Sequence, residues 1–327
     1  MKRLVTLDPA SHRRHPIHGE DRIWAETNCY SDVVIELLHG LGHEPLAALP
    51  FSLAIDFEGD QWTFFKFRPQ DLRDLYGLDT QELAPWRPLV DHIENQIDQG
   101  RPLLVELDSY FLPDTAGTAY HRAHVKSTVA VNEIDPAGRH LGYFHNQGYY
   151  HLEGEDFVDI LQINGLAHER MLPPYIEFLK PVPGFVLLTP TQLVEASLGI
   201  LASHLRSLPG TCPFVRFKAA FRRDMEWLLQ SDIELFHAYS FATFRQYGAC
   251  FELASTYLSW LRERGIEGTL EASEAFAQIA QSTKAFQFQL ARAMARRKPL
   301  ELASLDEMTL LWERGMNSLL PRFAAVR

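Results

Sequence analysis

Cysteine is scarce in this chain, and the scarcity excludes several classes of protein. Three cysteines in 327 residues, Cys29, Cys212 and Cys250, are too few and too scattered for a disulfide framework or a zinc knuckle, and they are expected to be reduced. Long apolar runs are missing too: nothing approaches the ~18 uninterrupted apolar residues of a membrane helix. The apolar stretch after Met1-Lys2-Arg3 is too short for a signal peptide, so a cytoplasmic protein without membrane association is expected. Positive charge is in deficit, with 31 Lys and Arg against 42 Asp and Glu and a net charge of −11. That balance speaks against nucleic acid as a partner. Internal repeats and low-complexity tracts are absent.

What remains is an ordinary globular composition, 46% hydrophobic and 22% charged, in a chain long enough for two cores. The pattern divides accordingly. Up to about residue 188 apolar alternation and short apolar runs mix with a few helical stretches. Phe51 to Phe57 and Trp62 to Phe67 flank Glu58-Gly59-Asp60 as a hairpin with aromatic strands. Pro69 to Tyr76 and Trp86 to Gln99 read as helices closed by Gly77 and Gly100. Leu103 to Leu107 reads as a buried strand that delivers Asp108. A second strand opens at His121-Arg122-Ala123-His124, a third runs from Leu141 to His145, and Tyr149 to Leu152 continues the sheet. Lys180 to Gly184 is the hinge, with Phe185 to Leu188 as a last strand. Beyond Pro190 the period is helical throughout, with a break near Gly248 and a capping box at Ser304-Leu305-Asp306-Glu307 before the last helix. The fold class expected is α+β over residues 1–188, followed by an all-helical domain over 189–327.

The chemistry centres on Cys29. In Glu26-Thr27-Asn28-Cys29-Tyr30-Ser31-Asp32 it opens a helix whose Val33, Val34, Leu37, Leu38 and Leu41 share one face. The unpaired N–H groups and positive dipole end of a helix N-terminus favour a thiolate, the nucleophilic form of cysteine. A lone cysteine also serves as small buried filler. A nucleophile needs a base and a group to orient that base, both of which are commonly distant in sequence. His124 follows about 95 residues later at the mouth of a strand, and Asn146 ends the next strand, which is a papain-like order. His121 is an alternative base. Asp108 can orient either histidine, bind an acceptor amine, or simply cap a loop.

The runs Thr27 to Ser31, Gly100 to Pro113 and Tyr120 to His124 resemble the N-terminal domain of the BtrH family of butirosin biosynthesis. The chain is also similar to a two-domain bacterial family of unknown function. The BtrH resemblance covers roughly the first half of the chain and implies a papain-like cysteine fold. It implies an acyltransferase that takes an acyl or aminoacyl group from the phosphopantetheine thioester of a carrier protein, through a Cys29 thioester, to a small acceptor amine. By that match Cys29 is the nucleophile, His124 the base and Asn146 the orienting group, with no cofactor bound by the protein itself. The glutamine that papain-like peptidases place before the cysteine is absent from Asp21 to Asn28. The Cys29 N–H and the Asn28 side chain are left to form the oxyanion hole, which suits an activated thioester better than a peptide. A cysteine peptidase or amidase with the same triad and a catalytically inactive scaffold are the competing readings.

Metal binding is the weaker alternative for the histidines. His121, His124 and His145 with Asp108 form one possible set, but His-x-x-His at a strand entry does not put both rings on one face. His12, His15 and His18 form another, in a stretch that a solvated basic loop explains, with no acidic or thiol partner nearby in sequence; no metal is expected. In the helical half Arg216, Lys218, Arg222 and Arg223 lie on one helix, and Arg292, Arg296, Arg297 and Lys298 on another. The first group is the expected docking surface for an acidic carrier protein. Tyr239, Phe241, Phe244 and Tyr247 form an aromatic stripe expected in the core.

Overall fold

The computed structural model describes residues 1–25, 27–165 and 174–325. Glu26, which opens the cysteine stretch, lies outside them. The elements are β1 (Lys2–Arg3), α1 (Cys29–Gly40), β2 (Phe57–Glu58), β3 (Gln61–Trp62), α2 (Pro69–Tyr76), β4 (Leu78–Glu82), α3 (Leu89–Asp98), β5 (Leu103–Asp108), β6 (Lys126–Asp135), β7 (His140–His145), β8 (Gly148–Glu153), α4 (Glu155–Ile160) and β9 (Ile176–Pro181). The helices α5 (Pro190–Arg206), α6 (Pro213–Gln230), α7 (Ile233–Ser240), α8 (Gln246–Glu263), α9 (Leu270–Arg296) and α10 (Ala303–Phe323) complete the described chain. It forms two compact units that interleave in sequence. One comprises Met1–His18, Asn28–Pro45 and Arg68–Leu187, the other Gly19–Thr27, Leu46–Phe67 and Leu188–Arg327.

The first unit is α+β. Its sheet runs β4-β9-β5-β6-β7-β8, with β1 also on β6, and the described pairs are antiparallel. Period-two alternation gives the sheet two faces. Leu103, Val105 and Leu107 of β5 join Val129, Val131 and Tyr143 on one face, where Ile93 and Ile97 of α3 and Phe157 of α4 cover them. The other face receives α1, whose Val33, Val34, Leu37 and Leu38 are fully buried; each such side chain contributes roughly 1.5–3 kcal/mol relative to exposure. The packing is close enough to require glycine at position 40, where a Cβ would stand 2.6 Å from the Phe144 ring. At the other end of α1 the Tyr30 hydroxyl donates to Glu177 of β9 at 2.9 Å, which anchors the turn that carries Cys29.

Several expectations change in this unit. β6 begins at Lys126, so His121 and His124 precede it. Phe185 to Leu188 is not a strand; the additional strand is Ile176–Pro181, inserted between β4 and β5. The His12 to His18 stretch is no solvated loop, because His15 and His18 are buried and their partners lie on α1.

The second unit is helical apart from the short β2–β3 hairpin. Phe51 to Ala54 belongs to a 3-10 segment with Pro50 inside it, not to an aromatic strand. α5 opens on a capping box formed by Thr189 and Gln192. α10 starts at Ala303 with no side-chain cap, so Ser304 does not cap it. The chain runs through Gly248 without a break: five residues of π-helix, Phe241–Arg245, join α7 to α8. Gly248 answers to packing, since a Cβ there would meet the Trp24 indole at 2.5 Å. Of the aromatic stripe, Phe244 and Tyr247 are buried while Phe241 is exposed. Among the described residues no helix is long and apolar enough to cross a membrane.

Candidate functional site

Cys29 is the first residue of α1. Asn28 caps the helix in an extended conformation, its side-chain carbonyl accepting from the Ser31 N–H at 2.8 Å. The Asn28 oxygen is therefore engaged in capping, the ordinary role of asparagine at that position. The Cys29 N–H has no partner inside the helix, as for every first-turn N–H. Cys29 is also the most open thiol: it is half-buried, whereas Cys212 and Cys250 are buried. Burial pushes the Cys212 thiol up to about 11 and the Cys250 thiol well above its ordinary value.

The group against the sulfur is a hydroxyl. Cys29 Sγ lies 3.7 Å from Thr128 Oγ1, on the face of β6 that α1 covers. Among the described residues no histidine bonds to the thiol. His124 stands four residues upstream of Thr128, a separation of up to ~13 Å along an extended chain. Its Nδ1 donates to Asp108 Oδ2 at 2.7 Å, and its ring stacks on Tyr110 with centroids 4.4 Å apart. Asp108 thus orients the His124 ring through Nδ1 and, where Nδ1 carries the proton, makes Nε2 the basic nitrogen. Asp108 also accepts from the Tyr110 N–H at 3.0 Å, so the cap and the orienter are the same carboxylate.

The other candidates are placed elsewhere. His121 bonds Asp156 Oδ1 at 3.1 Å and stacks on Tyr120. Asn146 sits in the tight β7–β8 turn with φ of 46°, a left-handed conformation that asparagine tolerates better than most residues. Val129 pairs with His145, so Asn146 follows at the level of Thr128. His145 points to the opposite face of the sheet. Its Nδ1 donates to Asp114 Oδ2 at 2.6 Å and its Nε2 accepts from the Ser127 hydroxyl at 2.6 Å, and Tyr143 donates to the same Asp114. His145 is 1% exposed, so this relay is a core network. Of His121, His124, His145 and Asp108 only His124 and Asp108 bond one another; His121 is held by Asp156 and His145 by Asp114.

Sequence reading missed a stripe on α1. Cys29, Asp32 and Glu36 recur at helical spacing, and Asp32 and Glu36 are fully buried. Glu36 accepts from the His15 N–H at 2.8 Å, from His18 Nδ1 at 2.6 Å and from His12 Nε2 at 3.1 Å. His18 Nε2 lies 3.4 Å from Asp32 Oδ1. Burial disfavours the His18 imidazolium, but the hydrogen bonds and charges of Asp32 and Glu36 outweigh it and hold the His18 pKa above its ordinary value. Burial likewise works against the Glu36 carboxylate, and His18 with the His15 N–H and His12 together outweigh it, holding Glu36 below its ordinary value. The unusual signal in sequence was two acidic residues inside an otherwise apolar helix.

On α6, Arg216 pairs with Asp56 and Lys218 with Asp306, so neither is a free docking charge. Arg223 bonds the Ala219 carbonyl of its own helix at 3.3 Å. Arg222 lines a groove of about 520 Å³ with Met225, Glu226, Leu229, Leu300 and Glu301.

An antiparallel-sheet unit with a cysteine at a helix N-terminus, joined in one chain to a helical unit, defines a two-domain α+β protein. The chain belongs to the DUF1839 family. The family's N-terminal domain matches residues 13–181, and its C-terminal domain matches residues 190–321. No curated protein matches the chain.

Proposed function

We propose that the protein is a cysteine-dependent acyltransferase of papain-like, BtrH-like type. The observation that carries this reading is the position of Cys29: the most open thiol of the chain, at the N-terminus of a capped helix, packed on the strand that the Asp108–His124 pair leads into. The thiolate attacks the carbonyl of a phosphopantetheine thioester, and the carrier's thiol leaves. His124 takes the Cys29 proton and returns it to the departing sulfur. An acceptor amine then attacks the Cys29 thioester, and its surplus proton passes through His124 to the cysteine thiol. Asp108 takes the orienting role that the resemblance gave to Asn146. No glutamine precedes the cysteine, and a thioester, unlike a peptide, needs little oxyanion help.

One observation favours a second reading, a binding scaffold without chemistry. The group against the sulfur, Thr128, cannot act as a base. Intact-mass measurement after incubation with a small aminoacyl thioester separates the possibilities. Acyl transfer predicts one adduct on the wild type and none on Cys29→Ala. Absence of any adduct selects the scaffold, and cleavage of unactivated peptides at rates comparable with thioesters selects the peptidase.

The docking surface yields its own prediction. With Arg216 and Lys218 neutralised, Arg222 and Arg223 carry whatever attraction an acidic carrier feels. The double change Arg222→Glu with Arg223→Glu is expected to slow loading from an acylated carrier by about tenfold and to leave loading from the small thioester unchanged, because only steering is lost. Equal slowing of both donors would exclude a docking role.

A further inference from the structure

Three strands of the first unit bring together a second cluster, far in sequence from Cys29. Glu133 of β6 pairs with Gly142 of β7, which pairs with His151 of β8, so the three occupy one row across the sheet. His140, two residues before Gly142, lies on the same face. Strict alternation would aim Glu133 into the apolar core, since Val129 and Val131 point there. A register shift between Val131 and Glu133 interrupts the alternation. As a result Glu133 joins the other face, and Ile134 takes the core position. Bulges re-aim side chains in this way, frequently at functional sites. Gly142 of β7 leaves the space between Glu133 and His151 open: a Cβ there would lie 2.5 Å from Glu133 Cγ.

The polar atoms converge. Glu133 Oε1 is 2.8 Å from His140 Nε2 and 3.2 Å from His151 Nε2, and one ligand atom from each of the three residues lies within 4.8 Å of the others. A tetrahedral zinc ion with bonds near 2.1 Å holds its ligand atoms about 3.4 Å apart. His140 Nδ1 meets Glu153 Oε1 at 3.1 Å, the carboxylate–histidine arrangement that fixes Nε2 as the metal-facing nitrogen. A proton shared among His140, Glu133 and Glu153 explains the first histidine and leaves the second unexplained. His151 Nε2 is a buried nitrogen with no hydrogen-bond partner, and it faces Glu133. We propose that Glu133, His140 and His151 bind a divalent transition-metal ion of the zinc class, with Glu153 positioning His140. Two imidazoles and a carboxylate are a zinc-type donor set, and they leave a fourth position open to water or another ligand.

The test uses the full chain after chelator treatment, titrated with Zn²⁺ in a calorimeter and with Co²⁺ followed by visible absorption. A parallel titration on Cys29→Ala removes the most open thiol as a donor. One equivalent of Zn²⁺ is expected to bind both proteins with a dissociation constant of about 1 μM or tighter, with the visible bands of a four-coordinate cobalt ion. Glu153→Gln, at a side chain 73% exposed, is expected to weaken binding about 10- to 100-fold through misorientation of His140 while the cobalt spectrum keeps its shape. His151→Gln, at a side chain 31% exposed, is expected to abolish the one-equivalent site with circular dichroism unchanged. The proposal is overturned by absence of saturable Zn²⁺ binding to the full chain, or by one equivalent that persists undiminished in both His151→Gln and Glu153→Gln.

Discussion

Replacing Glu36 by alanine is expected to destabilise the protein by about 3–5 kcal/mol, the cost of removing one partner from a buried ion pair. The carboxylate holds His18, His12 and the His15 backbone at once, so its loss strands three donors beneath α1, two of them on buried residues. Urea unfolding of the sheet unit measures the change. The pH dependence supplies a signature that simple loss of packing lacks. His18 is raised above its ordinary 6.5, so its contribution is complete below about pH 6.5 and disappears as pH rises through the higher folded value. Glu36 is lowered from its ordinary 4.5, so its contribution is complete above about pH 4.5 and disappears as pH falls through the lower folded value. The pair therefore stabilises most between those limits. Glu36→Ala should remove that maximum together with the stability. A loss below about 1 kcal/mol, or a pH profile parallel to the wild type, would contradict the assignment.

The second large effect concerns the base. If His124 moves the proton of Cys29, His124→Ala should slow acyl loading from a small thioester by about 10²–10⁴-fold, the usual worth of a positioned general base. Asp108→Asn should slow it as well, because an amide can present its N–H to Nδ1 and select the wrong tautomer. Asn146→Gly keeps the left-handed turn and is expected to leave the rate within about twofold. Stopped-flow loading rates, read with circular dichroism as a check on folding, distinguish the roles. A rate that falls with Asn146→Gly and not with Asp108→Asn would return the orienting role to Asn146.

Local signals in the sequence were sufficient where local physics decides the structure. The apolar spacing of Val33, Val34, Leu37 and Leu38 placed α1, Gly77 closed α2, and the run Leu103 to Leu107 marked the central strand. The Ile176–Pro181 strand was hidden because its partners, β4 and β5, lie about 70 to 100 residues away and because Pro181, which ends it, and Pro183 beyond read together as a hinge. Aromatic content made Phe51 to Phe57 look extended, whereas Pro50 and burial against neighbouring helices favoured a 3-10 turn. The same limit applies to the sites. Cys29 and the Asp108–His124 pair were visible as residue types at the ends of elements. The His18–Glu36 pair and the Glu133–His140–His151 cluster were not, because each depends on tertiary contact, and the latter also on a one-residue bulge that shifts Glu133 from one face to the other.

The most direct test of the Cys29 assignment is the rate and position of alkylation by iodoacetamide near neutral pH, mapped by peptide mass in the wild type and in His124→Ala. Cys29 is expected to react first, with Cys212 and Cys250 protected by burial and by their raised pKa values. His124→Ala is expected to slow the Cys29 reaction by about tenfold or more, because the proton acceptor is gone. Uniform labelling of the three thiols, or a Cys29 rate indifferent to His124, would contradict a nucleophilic role for Cys29 and leave the scaffold reading in its place.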